Sequence, residues 1–357
     1  MMKKLMRYLL MFIIALVLVV IGYVSYVYLS YARVDDAISL PVKESVTEEI
    51  RPNHPYVITT FNIGYASYSP DYSFFMDGGR YSRGFSEEAI QNNLKGIIET
   101  TQALQPDFAF FQEVDEKATR SYGVNEVKKL TDAFDGYASV YGQNYDSSYL
   151  FYPLTEPIGK SKSGLVTLSK GKIDDSMRYS LPIETNFNKF FDLDRAFTVS
   201  NVPVSNGHHL TLINVHLSAY TKDPAIQKAQ IKKLGDEMEK QYQSGNYVIV
   251  GGDYNHALLE NSDAIFQNTE TDFSWNQPFP KSELPKGFSV AEKGLAKAAI
   301  PSVRNLDEPY KKGQTFISLI DGFILSDNIS IQELSVVDKA FQYSDHNPVR
   351  LQFQLLD

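Results

Sequence analysis

Short runs of β-branched and aromatic residues recur along most of the chain, and stretches with apolar residues at helical spacing interrupt them. The strand-like runs are YVITTFNIGY, opening at Tyr56, then DFAFFQEV, YASVYG, SGLVTLS, RAFTVSNVPV and HLTLINVHL, and further on YVIVGGDYN, LIDGFILS, ISIQELSVV and NPVRLQFQL. A helix is expected from Ser86. That residue suits an N-cap, Glu87 and Glu88 suit the positive end of the dipole, and Ile90, Leu94, Ile97, Ile98 and Leu104 follow at helical spacing before Pro106. Similar patterns predict helices near 124–134 and 223–243. Strands outnumber helices, and several follow one another directly, which disfavours a doubly wound parallel sheet. The expected class is α+β, a four-layer α/β sandwich in which two packed mixed sheets are flanked by helices.

The N-terminus departs from this alternation. Residues 8–32 carry no charge and are long enough to cross a bilayer, for which about 20 residues suffice. Three cations precede the run and none follows until Arg33, so one transmembrane helix is expected, with residues 1–7 cytoplasmic and the rest outside. The chain would then be a single-pass protein of the cell membrane. A cleaved signal peptide ending at Ser30-Tyr31-Ala32 is the alternative; the apolar run is long for one, which favours an anchor. The mixed polar segment 33–55, with Pro41 and Pro52, suggests a linker, and 56–357 a single folded domain.

Composition narrows the picture. With 43% hydrophobic and 22% charged residues, the 357-residue chain is globular, and having no cysteine it is compatible with either redox compartment. The net charge is −9, or −12 once Lys3, Lys4 and Arg7 are set aside, a poor footprint for duplex nucleic acid. The aromatic-rich stretch YASYSPDYSFFMDGGRYSRGF is expected to be a long loop, either packed down by its own rings or functional.

Polar residues interrupt the strand runs mainly at their ends: Asn62, Glu113, His216, Asp253, Asn255, Asp321 and the trio Asp345-His346-Asn347. In an extended backbone Asp253 and Asn255 face one side, so a carboxylate able to accept a proton sits beside an amide able to hold water or a phosphate oxygen. Gly251-Gly252 before them permits close approach of another backbone or a ligand. By the same geometry adjacent Asp345 and His346 point apart, leaving Asp321 as the expected partner of His346. Glu113 with Asn62 offers hard oxygen ligands suited to Mg²⁺. No cysteine, HExxH, GxSxG or P-loop pattern is present, against zinc-hydrolase, serine-esterase and NTPase chemistry. His208-His209 suits a surface turn and His54 the linker, whereas His256 and Trp275 remain open.

In order along the chain, TFNIG, FQEVD, SGLVTLS, NVHL, GGDYN, LIDGFILS and YSDHNPV resemble the endonuclease/exonuclease/phosphatase family, which includes deoxyribonuclease I-like nucleases, neutral sphingomyelinases and inositol-polyphosphate 5-phosphatases. The resemblance spans nearly all of 56–357 and implies one catalytic domain. It implies that Glu113 binds metal, helped by Asn62 and Asp345, that Asp253 activates water oriented by Asn255, and that Asp321 partners His346. It also implies that His346 and His216 contact the scissile phosphate, with Arg195 a looser match as a further phosphate ligand. The implied cofactor is Mg²⁺, with Mn²⁺ as an alternative. The implied activity is Mg-dependent hydrolysis of a phosphodiester or phosphomonoester. The anchor, the acidic balance and the aromatic loops at 65–85 and 187–191 favour a membrane lipid or small phosphoester over nucleic acid. An extracellular Mg-dependent nuclease and a catalytically inactive surface binding module are the alternatives, and no protein partner is inferable.

Overall fold

A computed structural model describes residues 1–44, 48–190, 192–219, 221, 223–269 and 273–357, apart from the side chains of 187, 188 and 274. Two seven-stranded mixed sheets pack face to face. Across the first run Ile38–Ser39, Asp175–Ser180, Ala196–Pro203, His209–His216, Tyr247–Asp253, Asp321–Ser326 and Phe288–Val290. The second holds Ile329–Val336, Val349–Leu355, Pro55–Asn62, Phe108–Ala118, Ser161–Ser169, Ala138–Asp146 and Val42–Lys43. The expected α+β sandwich is therefore what the chain forms.

Strand alternation explains the packing. In Val349–Leu355, Val349, Leu351, Phe353 and Leu355 are buried and the residues between them are half-exposed, as a period of two requires. These side chains join Ile58, Phe108, Phe110, Phe197, Ile213 and Phe323 in the main core. Each such burial contributes about 1.5–3 kcal/mol. The helix Glu87–Ala103 starts where predicted, the Ala89 N–H donating to Ser86 Oγ, and Ile90, Leu94 and Ile97 cover Phe61 and Phe111. Helix Pro224–Gln243, capped by Asp223, buries Ile231, Leu234 and Met238 on the first sheet.

A buried polar bridge crosses between the sheets at Asn214. Asn214, from the first sheet, donates to Val166 O at 3.0 Å and Phe111 O at 3.3 Å, and its Oδ1 accepts from Gln112 Nε2 at 2.8 Å. Every partner lies in the second sheet, so these bonds fix how the two sheets slide against each other.

Two expectations need correction. The segment 33–55 is not a free linker: Ile38–Ser39 extends the first sheet beside Asp175–Ser180, and Val42–Lys43 extends the second beside Ala138–Asp146. Ile50 is 1% exposed in the main core, and buried Arg178 donates to Asp35 O at 3.1 Å; residues 45–47 lie outside the described residues. The strand of Glu113 does not end there either. It runs on to Ala118 through an irregularity in pairing between Phe111 and Val114, where Glu113 has φ +54°. The bulge turns an acidic side chain out of the ladder without terminating it. Ahead of both sheets, helix Met2–Ser30 is long and apolar enough to cross a membrane and is exposed over nearly its whole length.

Candidate active site

Strand register brings together the residues that looked scattered in sequence. Tyr247–Asp253 lies between His209–His216, parallel to it, and Asp321–Ser326, antiparallel, so Asp253 pairs directly with His216 on one side and Asp321 on the other. Three functional side chains thus occupy one edge of three adjacent strands. Gly252 permits this close pairing: with φ +148°, a Cβ there would meet Val215 O at 1.9 Å. Ala196 pairs with His216, which puts Arg195 at the same edge.

The second sheet supplies the opposite wall. Asn62 ends Pro55–Asn62 beside Gln112, and its Nδ2 donates to Asp253 Oδ2 at 3.0 Å and to Glu113 Oε1 at 3.2 Å. His346 arrives from the loop before Val349–Leu355, and its Nδ1–H donates to Asp321 Oδ2 at 2.7 Å, the partner expected from the sequence. Its Nε2 lies 3.8 Å from Asp253 Oδ2, and His216 Nε2 lies 3.5 Å from the same oxygen.

Asp345 and His346 do not point apart. They follow a bend rather than sitting in an extended strand, both line the pocket, and His346 Nε2 is 3.8 Å from Asp345 Oδ2. Asn255, with φ +47°, leaves the strand: its backbone N–H donates to Asp253 Oδ1 at 2.9 Å and its Nδ2 to Leu217 O at 2.8 Å. It therefore orients the carboxylate through its backbone.

Burial sets the electrostatics. It lifts the Asp253 carboxyl to about 7, helped by the Asp321 charge and opposed by His346. Burial alone would depress His346, but Asp321, Asp345 and Asp253 outweigh it and push its pKa up to about 10. Burial, with Arg195 and His346 nearby, holds His216 well below its ordinary value. One histidine is thus kept protonated and the other neutral within one site. Asp345 is raised to about 6, first by burial and then by Glu113, against His346 and Arg304.

Two sets of side chains are candidates for a cation. Asp253, Asp321 and His346 offer ligand atoms within 4.8 Å of one another. The Nδ1–H of His346 already donates to Asp321, and its raised pKa favours the protonated form, which has no lone pair to give, so this trio suits proton handling better than a cation. Glu113 and Asp345 form the better donor pair, with Asn62 beside them: two carboxylates whose charges repel are the hard ligands Mg²⁺ takes, and Asn62, whose Oδ1 accepts from the Gly64 N–H at 3.0 Å, holds Glu113 through its Nδ2.

The residues surround a cavity of about 110 Å³. Arg195 lines it, donating to Leu217 O and Asp192 Oδ1 at 2.8 Å each while its Nε has no partner. Sequence reasoning missed Tyr68, Arg120 and Arg304, which also line it. Arg120 is clamped by Asp115 at 2.9 and 3.2 Å and lies 3.8 Å over the Tyr65 ring; Arg304 donates to the carbonyls of Ser69, Tyr68 and Tyr72. Lone arginines in loops carry no pattern that marks them as buried. Trp275 is on the wall as well, packed on Phe273 and Phe316. His256 is buried, bonded to Tyr254 O. The loop 65–85 is largely packed down, Tyr65, Tyr68, Tyr72 and Phe74 forming their own cluster. Of 187–191, Phe190 is buried, and Phe191 and the Phe187 side chain lie outside the described residues.

This sandwich, with a polar edge shared by both sheets, is the fold of endonuclease/exonuclease/phosphatase proteins. Among solved structures, one similar to this chain is an endonuclease/exonuclease/phosphatase from Beutenbergia cavernae, at 16% identity over 85% of this chain and 72% of that one, TM-score 0.55. The catalytic domain of human Nocturnin, solved with a sulfate anion, matches at 16% identity over 88% and 97%, TM-score 0.53. TDP2 from D. rerio, solved with a single-strand DNA product, matches at 14% identity over 85% and 100%, TM-score 0.53. No family sequence profile and no curated protein sequence matches the chain.

Proposed function

We propose that the chain is a membrane-anchored, Mg-dependent phosphoric ester hydrolase whose catalytic domain, 56–357 together with the strands of 33–55 that extend its sheets, works outside the cytoplasm on a lipid or other small phosphoester. The observation that carries this is one carboxylate, Asp253, whose Oδ2 lies between the imidazoles of His216 and His346 and accepts from Asn62, while its Oδ1 accepts from the Asn255 N–H.

Asp253 accepts a proton from water as the water oxygen attacks phosphorus, and its raised pKa makes it a base poised near neutrality. The attack forms one P–O bond, and the bond to the leaving oxygen breaks. His346, held protonated and aimed by Asp321, donates a hydrogen bond to the phosphoryl oxygen, and His216 and Arg195 share the growing negative charge. Glu113, Asn62 and Asp345 would hold Mg²⁺, which when bound supplies charge neutralisation at the phosphoryl and leaving oxygens. Mn²⁺ suits the same donors.

Three cations in the first turns of helix Met2–Ser30 and none in the run 8–32 support an outward-facing domain. The test is hydrolysis of bis-p-nitrophenyl phosphate, phospholipid vesicles and plasmid DNA by the full-length protein, with EDTA and Asp253→Ala as controls. Turnover abolished by both establishes the chemistry, and the preferred substrate separates a lipid or small phosphoester from the nuclease alternative. A folded, Mg-binding protein that turns over none of them would instead be a binding module.

A further inference from the structure

The apolar helix does not merely tether the domain; its outer end is built into it. Tyr23 OH donates to Tyr149 O at 3.3 Å and accepts from Phe151 N at 3.2 Å, Tyr26 OH accepts from Tyr149 N at 3.1 Å, and the Tyr23 and Phe151 rings meet at 5.3 Å. Among the described residues after the helix, seven large apolar side chains stay exposed, and three fall within four positions of this loop: Phe151, Tyr152 and Leu154, 51, 63 and 84% exposed.

Helix length fixes the depth of that loop. Counting about 20 residues from Arg7 puts the outer hydrocarbon boundary near Val27. Tyr23 then lies about 6 Å inside it, and Phe151 is in contact with Tyr23. A loop tip at that depth cannot be in water. Tyr23, Tyr26, Tyr149 and Tyr152 also supply the aromatic residues favoured at a membrane interface. The catalytic pocket is adjacent: Phe75 packs on Tyr152 at 5.7 Å, and its neighbour Met76, with Tyr145 and Ile158 from either side of the loop, lines the cavity.

We infer that the loop tip Phe151-Tyr152-Leu154 inserts into the same leaflet that the helix exits and holds the pocket mouth at the headgroups, so that the substrate is a phosphoester of a membrane lipid. The substrate half rests on the proposed phosphoesterase activity; the insertion half does not.

The chain has no cysteine, so Leu154→Cys in the full-length protein takes a single environment-sensitive fluorophore. In phospholipid vesicles containing doxyl-labelled lipid, its emission should fall by about half or more, whereas the same label at Ser205→Cys, at the far end of strand Ala196–Pro203, should not respond. Equal quenching at both positions, or none at Leu154→Cys, overturns the insertion. In the triple variant Phe151→Ser, Tyr152→Ser, Leu154→Ser, turnover of bis-p-nitrophenyl phosphate should stay within about twofold of wild type while hydrolysis of vesicle phospholipid falls about tenfold. Unchanged lipid hydrolysis overturns the loop's role in holding the pocket at the headgroups, and a wild type that turns over bis-p-nitrophenyl phosphate but no vesicle phospholipid overturns the lipid assignment. Quenching without turnover of either substrate by the wild type upholds insertion and refutes the hydrolase.

Discussion

The imidazole of His346 and the carboxylate of Asp321, joined at 2.7 Å, come from different sheets: His346 from the loop entering Val349–Leu355, Asp321 from the first position of Asp321–Ser326. Their bond is both an inter-sheet contact and the device that orients and charges the imidazole. Asp321→Asn should therefore lower kcat by about 10²–10⁴ and leave KM within a few-fold, measured on a soluble phosphodiester. Near-normal kcat would sink the pairing as a functional one.

The two residues should act as a unit. If Asp321 works only through His346, the double variant Asp321→Ala, His346→Ala loses about as much kcat as His346→Ala alone. Additive losses in this cycle would mean that Asp321 has a separate task.

The pH dependence follows from opposite shifts. Asp253, raised to about 7, cannot accept a proton while it still carries one, so kcat/KM rises with pH through that range. His346, raised to about 10, loses its charge above that pH and the rate falls again. A bell is expected, and its limbs belong to the coupled site as a whole. His346→Gln should flatten the alkaline limb and keep the acid one. A wild-type profile that is flat from pH 5 to 8 contradicts the assignment of the base.

Asp194 gives a stability prediction away from the chemistry. It accepts from Tyr31 OH at 2.9 Å, yet burial, added to by Asp192, raises its pKa to about 6 against the pull of Tyr31, Arg33 and Arg178. A carboxyl whose folded pKa lies above its unfolded one stabilises the fold at low pH, and that contribution is lost as pH rises through about 6. Asp194→Asn removes the titration. The variant should match wild type near pH 4 and exceed it at pH 8 by up to about 3 kcal/mol, read from thermal melts across pH. Parallel melting curves for the two proteins would show that Asp194 titrates normally.

Gly252→Ala should be severe. The added methyl carbon would sit 1.9 Å from Val215 O in a backbone conformation that L residues rarely adopt, so the strand carrying Asp253 must shift. A loss of about 3–5 kcal/mol in stability is expected in denaturant melts. Gly78→Ala also meets φ > 0, at +94°, but has open space around it and should cost far less.

The strands Tyr247–Asp253 and Val349–Leu355 and the helix Glu87–Ala103 were legible because their hydrophobic period and cap residues are local signals. The site was legible because Asn62, Asp253, His216 and Asp321 stand at the ends of apolar runs. Other features depend on contacts with no local trace. The strand Asp175–Ser180 was missed because Arg178 in its middle looks solvent-facing, whereas it is buried and donates to backbone carbonyls of the segment after the helix. Glu113 looked like a terminator because the sequence does not distinguish a bulge from a strand end. The Asp345 and His346 directions were misjudged since a bend, unlike a strand, has no fixed period. Arg120 is held by Asp115 on the preceding strand and by the distant Tyr65 ring, and Arg304 by the carbonyls of Tyr68, Ser69 and Tyr72, far from it in sequence.

The Asn214 bridge and the His346–Asp321 bond share an implication for how the molecule is made. Asn62 and Glu113 emerge from synthesis well before Asp321 and His346, and strand Val349–Leu355 pairs with the much earlier Pro55–Asn62. A chain cut short before His346 lacks both the pairing with Pro55–Asn62 and the charged imidazole. The proposed chemistry is therefore absent until strands far apart in the chain have been made and paired.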